Sequence, residues 1–101
     1  TDTAPHLISD KESSCGCAGI FNAPYCLTTI TQIFENSNAL TNLEKFVSLN
    51  GAKHYKIEKN KSKIILKKKS KPLILKNSLK VGNSEIMIFQ PNFPIYWDVV
   101  I

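Results

Sequence analysis

Thr1-Asp2-Thr3-Ala4-Pro5-His6 opens the chain, followed by Lys11-Glu12-Ser13-Ser14-Cys15-Gly16-Cys17-Ala18-Gly19 and Phe21-Asn22-Ala23-Pro24. Ser, Gly, Pro, Asp and Cys are frequent here, so residues 1–24 read as one long loop. A structureless stretch of that length is uncommon in a compact domain unless it carries function. Asp2 and His6 flank Ala4-Pro5, and a proline biases its predecessor away from helix. The two side chains therefore belong to a loop, where they can share a cleft, and not to one helix face. Asp and His together can bind metal or move protons. Taken alone, this spacing more often marks ordinary solvent-facing residues. Gly16 and Gly19 suggest a backbone that turns tightly, with amides free to approach a ligand.

Outward from this loop the pattern becomes regular. Pro24 suits the first turn of a helix, and Leu27, Ile30, Ile33 and Phe34 then repeat at the spacing of one helical face. That helix should fade at Asn36-Ser37-Asn38. A second follows, with Leu40, Leu43, Phe46, Val47 and Leu49 as its apolar face. Thr41 and Glu44 fit a capping box, Asn38 is an equal candidate for the cap, and Asn50-Gly51 reads as the stop. The pair predicts a helical hairpin. Beyond it the period shortens: Ile64-Ile65-Leu66, Pro72-Leu73-Ile74-Leu75, Glu85 to Phe89 and Ile95 to Val100 read as short extended runs. Val81-Gly82-Asn83-Ser84 reads as a turn.

Composition narrows the classes. At 43% hydrophobic residues the chain is not wholly disordered, and 101 residues make at most one small domain. No apolar run is long enough for a transmembrane helix. The N-terminus lacks a signal peptide and a starting methionine, so the chain is expected to begin within a longer protein. Residues 1–50 hold two lysines against five acids, and residues 51–101 eleven lysines against three. Every cation is lysine. Without arginine's planar fork, sequence-specific reading of nucleic acid is disfavoured. The run Lys61, Lys63, Lys67, Lys68, Lys69, Lys71 lacks an aromatic to stack a base, and reads better as a solvated edge. A small basic module binding nucleic acid or protein is the runner-up. Cys15, Cys17 and Cys26 make an odd count, and a C-x-C plus one is a poor zinc set, so reduced cytosolic thiols packing a loop are expected. His54, Tyr55, Phe89, Phe93, Tyr96 and Trp97 look like packing residues.

The opening stretch, Thr1 to His6, Lys11 to Gly19 and Phe21 to Pro24, resembles the end of bacterial type II dihydroorotases of the amidohydrolase superfamily. The likeness continues through Phe34-Glu35, Asn38-Ala39-Leu40, Asn50-Gly51 and Tyr55, and is looser in the lysine-rich remainder. The resemblance implies an α/β fold, the C-terminal part of a (β/α)₈ TIM barrel with a short-stranded β tail. Residues 1–55 would be the end of the barrel with its active-site loop and C-terminal helices, and residues 56–101 a lysine-rich β-strand extension. The implied activity is a hydrolase of pyrimidine biosynthesis in the cytoplasm, reversibly cyclising N-carbamoyl-L-aspartate to dihydroorotate with two zinc ions.

By the same resemblance, Asp2 would be the last-strand aspartate, a ligand to one zinc and the proton shuttle to the amide nitrogen. His6 would bind the substrate's α-carboxylate. Ala18 would contact the pyrimidine ring through its backbone, and the cysteines would not be ligands. The remaining metal ligands and substrate binders would lie upstream, since His6 and His54 are the only histidines. The chain's partners would then be the remaining N-terminal part of the same enzyme and the small-molecule substrate, with no nucleic acid and no membrane; such barrels often form homodimers. Alone, the chain is expected to be inactive.

Overall fold

The structure, a computed structural model, describes residues 3–100. It divides into two compact units that interleave along the chain. One gathers the chain up to Cys26 with Ile74–Pro94, the other Leu27–Leu73 with the residues from Ile95.

The first unit is built on a hairpin. Strands β2 (Ser78–Val81) and β3 (Ser84–Met87) pair antiparallel across Gly82-Asn83, and Gly82 takes φ 60. Glycine at the first central position with positive φ suits a two-residue hairpin turn whose twist matches the strands. The turn is the predicted one, whereas β2 was not anticipated. Residues 87–89 then alternate their donors: Met87 N–H bonds the His6 carbonyl (3.1 Å), Ile88 that of Asn77 (2.9 Å), and Phe89 that of Phe21 (2.9 Å). One edge of this strand thus holds both ends of the opening loop. The loop is not wholly irregular, since Ile8–Lys11 forms a single helical turn, α1. Among the described residues, Ile88 is the buried apolar residue of this unit.

The predicted first helix forms, and from Leu27 onward it belongs to the second unit. A 3₁₀ turn at Ala23–Tyr25, carrying Pro24, runs into α2 (Cys26–Asn36), which ends at left-handed Asn38. Its buried side is the unexpected finding: Thr28, Thr31 and Gln32 are buried, while Ile33 is 44% exposed. Internal hydrogen bonds make that burial tolerable. Thr31 Oγ1 donates to the Leu27 carbonyl (2.7 Å), and Gln32 Nε2 donates to Asn36 Oδ1 (2.9 Å) and Glu35 Oε1 (3.2 Å). Gln32 Oε1 accepts the Tyr96 backbone N–H (2.9 Å), tying the helix to the last extended segment beside Ile95, which is 1% exposed.

Gln32→Met keeps the volume but removes that acceptor. An orphaned amide costs about 1–3 kcal/mol, so the complete protein should unfold at lower denaturant. An unchanged urea midpoint would show that Tyr96 N–H does not depend on Gln32.

The second helix also forms, but differently from its reading. A 3₁₀ turn (Leu40–Asn42), a π turn (Lys45–Leu49) and α3 (Asn50–Tyr55) follow one another, and no side chain caps the start. Asn50-Gly51 does not stop it. The terminator is Lys56 at φ 55, with Lys56 N–H on the Lys53 carbonyl and Ile57 N–H on that of Ala52, the paired bonds of a left-handed helix end. Leu43 is buried, but Phe46 is 61% exposed and Val47 and Leu40 are also exposed. Strands β1 (Ile65–Lys68) and β4 (Trp97–Val100) pair antiparallel. Pro72–Leu75 forms no strand, and Leu73 N–H bonds the Ile95 carbonyl (2.7 Å).

Several expected packing residues lie at the surface. His54 and Tyr55 are exposed and meet edge to face at 4.8 Å, and Phe89 is exposed. Trp97 is better covered. Its buried indole N–H reaches no acceptor at full hydrogen-bond geometry, yet it stands near enough to Glu35 to help lower that carboxyl's pKa. Half of the lysine run faces acids: Lys63 pairs with Glu44 (2.9 Å), Lys68 with Glu35 (2.9 Å) and Lys69 with Asp98 (3.8 Å). Lys68 is the main cause of the lowered Glu35 pKa, and Lys63 of that of Glu44. Such carboxylates favour the fold above their ordinary range, and lose that contribution as pH falls through their lowered values. Solvent-facing pairs keep it small. No helix among the described residues is long and apolar enough to cross a membrane.

Candidate active site

Backbone conformation concentrates in a short part of the opening loop. Gly16 (φ 71), Cys17 (φ 35) and Gly19 (φ 95) all lie at positive φ around Ala18. For cysteine this is a sparsely populated region, costing of order 1–2 kcal/mol, and it persists only where the surroundings over-determine it.

The surroundings here are specific. Lys11 Nζ donates to the Cys17 carbonyl (2.5 Å) and to the Gly19 carbonyl (2.9 Å). The carbonyl between them, on Ala18, lies 3.0 Å from His6 Nε2. A carbonyl only accepts, so Nε2 is the donor in this contact. Ala4 N–H bonds the Ile20 carbonyl (2.8 Å), and Ser13 Oγ donates to the Asp10 carbonyl (2.6 Å). Three successive carbonyls, 17 to 19, are thereby fixed by two side chains.

Of the residues singled out in the sequence, the structure joins two. His6, half-buried, and Ala18, exposed, meet through that 3.0 Å contact. Asp2 lies outside the described residues. A concavity of about 410 Å³ is lined by Ala4, His6, Lys11, Phe21, Met87 and Phe89 among others. Lys11 was passed over in the sequence, because a lysine in a polar loop carries no local mark of a buried task. The cysteines are free thiols, and Cys15 is exposed instead of packed. Among the described residues no three His, Cys, Asp or Glu side chains gather closely enough to hold a metal. These residues do not by themselves make a zinc site.

No family model matches the chain. Individual proteins do. The chain is 44% identical over 99 residues to the dihydroorotase of Chelativorans sp. strain BNC1, and 42% identical over 99 to that of Cereibacter sphaeroides. Each alignment covers 98% of this chain but only 29% and 28% of the relative. The crystal structure of Saccharomyces cerevisiae dihydroorotase, solved in complex with 5-fluoroorotic acid, matches with a TM-score of 0.82 at 30% identity. It covers 99% of this chain and 29% of the yeast chain. The chain corresponds to a portion of a dihydroorotase. It spans under a third of the length of the dihydroorotases it matches. The lysine-rich remainder, expected to match only loosely, falls within the aligned stretch, so the whole mixed α/β arrangement is shared with that part of dihydroorotase.

Proposed function

We propose that the chain is the C-terminal part of a zinc-dependent dihydroorotase, and that it works only with the rest of that enzyme. The reaction is the reversible cyclisation of N-carbamoyl-L-aspartate to dihydroorotate in the cytoplasm. The observation that carries the reading is likeness along 98% of the chain to dihydroorotases of which it spans 29%. In this reading residues 1–55 close a (β/α)₈ barrel and supply its active-site loop, and residues 56–101 form a C-terminal extension.

Exposed apolar side chains support dependence on further chain. Ile33, Leu40, Phe46 and Val47 are exposed, and Ile74 is 99% exposed. In this reading the rest of the enzyme would cover such side chains.

Three residues take roles. Asp2 is a zinc ligand and carries a proton between the attacking oxygen and the amide nitrogen. His6 binds the substrate carboxylate. Ala18 meets the ring through its backbone, and its small side chain leaves room for it. The further metal ligands belong to the rest of the enzyme, since His6 and His54 are the only histidines of this chain.

The test is an assay of dihydroorotate hydrolysis and carbamoyl-aspartate cyclisation by the complete protein and by the 101-residue chain. The complete protein is expected to turn over both substrates and to lose activity on chelation. The chain alone should do neither reaction. An inactive complete protein, or an active isolated chain, would overturn the reading.

A further inference from the structure

We infer that Lys11 is a positioning residue for substrate binding, acting through the backbone of Ala18. The inference rests on the proposed role of Ala18 and extends it to a residue with no role in that reading.

Lys11 spans Ala18 from one side to the other. Its ammonium bonds the carbonyls of Cys17 and Gly19, while His6 holds the carbonyl of Ala18 itself. All peptides in the described chain are trans. In a planar trans peptide the carbonyl and the following N–H point to opposite sides. Fixing the Cys17 carbonyl on Lys11 therefore turns Ala18 N–H away from the ammonium. By the same geometry, the Ala18 carbonyl on His6 turns Gly19 N–H away from the imidazole, and the Gly19 carbonyl on Lys11 turns away Ile20 N–H. Two cationic-donor bonds thus decide where the amides of this loop are presented.

Positive φ at Gly16, Cys17 and Gly19 makes the same point from the chain's side. The conformation is not one that the sequence would hold unaided, least of all at Cys17. Lys11 is well placed for the task because it ends α1, whose backbone is fixed by Lys11 N–H on the Leu7 carbonyl (3.0 Å), beside the Leu7–Ile86 bridge. A flexible ammonium with three donors can satisfy two carbonyls at once.

The role predicts a particular kinetic signature in the complete enzyme. Lys11→Met should raise KM for dihydroorotate, and the Kd of 5-fluoroorotate as probe, by about 10- to 100-fold, the scale of a hydrogen bond to the ring left unmade. Because Asp2 is untouched, kcat should fall much less than KM rises. Lys11→Arg, which can bridge the same carbonyls, should restore most of the affinity. Unchanged KM and Kd in Lys11→Met, with or without a lower melting temperature, would overturn the proposal and leave the lysine purely structural. A fall confined to kcat would overturn it too. Should Lys11→Met not fold, Lys11→Gln decides: it keeps a donor for one carbonyl, so an intermediate Kd supports the role and a wild-type Kd refutes it. Failure of the wild-type enzyme to act on dihydroorotate would instead count against the reading on which the role rests.

Discussion

Asp2→Asn in the complete enzyme is expected to slow dihydroorotate hydrolysis by about two to four orders of magnitude, the contribution of a positioned proton-transfer group. The substitution keeps size and one oxygen but abolishes the basic carboxylate. Hydrolysis requires one proton to leave the attacking oxygen and one to reach the amide nitrogen as the C–N bond breaks. Carboxylate oxygens can accept the first and return it as the second; an amide can do neither. Cyclisation runs through the same transition state in reverse, so both directions should fall together. Binding should suffer less, because His6 and Ala18 remain, and 5-fluoroorotate titration provides that control. Steady-state rates in both directions check the prediction. Activity within about tenfold of wild type would mean that a different group moves the proton.

Parts of this architecture were legible from residue patterns, and the reasons differ by element. Helix α2 was legible because Leu27, Ile30, Ile33 and Phe34 keep a helical period, which is a local property. Which side of it is buried was not. The structure covers Thr28, Thr31 and Gln32, through hydrogen bonds to residues as distant as Tyr96. Periodicity identifies an apolar stripe without saying which chain segment covers it. The helix end failed for a related reason. Asn50-Gly51 is a statistical stop, yet a Cβ at Gly51 would meet nothing within 4 Å, and the chain continues to left-handed Lys56. Tertiary context overrides such local preferences. Strand β2 was missed because Ser78–Val81 is short and gains its order from pairing with β3.

The candidate site was read by a different route. Asp2, His6 and Ala18 came from resemblance to a family, since Asp and His four apart in a loop say little alone. What the structure adds is the contact between His6 and Ala18, and the lysine that braces the same backbone. Neither was readable from spacing, because Ala18 lies 12 positions from His6 and offers a carbonyl, which every residue has.

Gly19→Ala should be among the most damaging small substitutions in the loop. Its φ of +95° is strained for any L side chain, by about 1–2 kcal/mol. An added Cβ would lie 2.6 Å from Ala4 Cβ, far inside contact distance. Ala4 cannot swing its side chain aside, since that methyl is carried directly on a backbone whose N–H bonds the Ile20 carbonyl at 2.8 Å. Overpacking of this kind adds about 1–3 kcal/mol, so the loop must reopen. Reopening moves the Gly19 carbonyl off Lys11 and with it the orientation of Ala18. The complete enzyme should therefore show a lowered melting temperature and a raised KM for dihydroorotate. Gly16→Ala supplies the comparison: φ is +71° there, but the new methyl would meet nothing within 4 Å. Only the conformational part of the penalty applies, and the effect on both measurements should be clearly smaller. Equal effects at the two positions would show that backbone strain, and not the close approach of Ala4, sets the requirement for glycine at position 19.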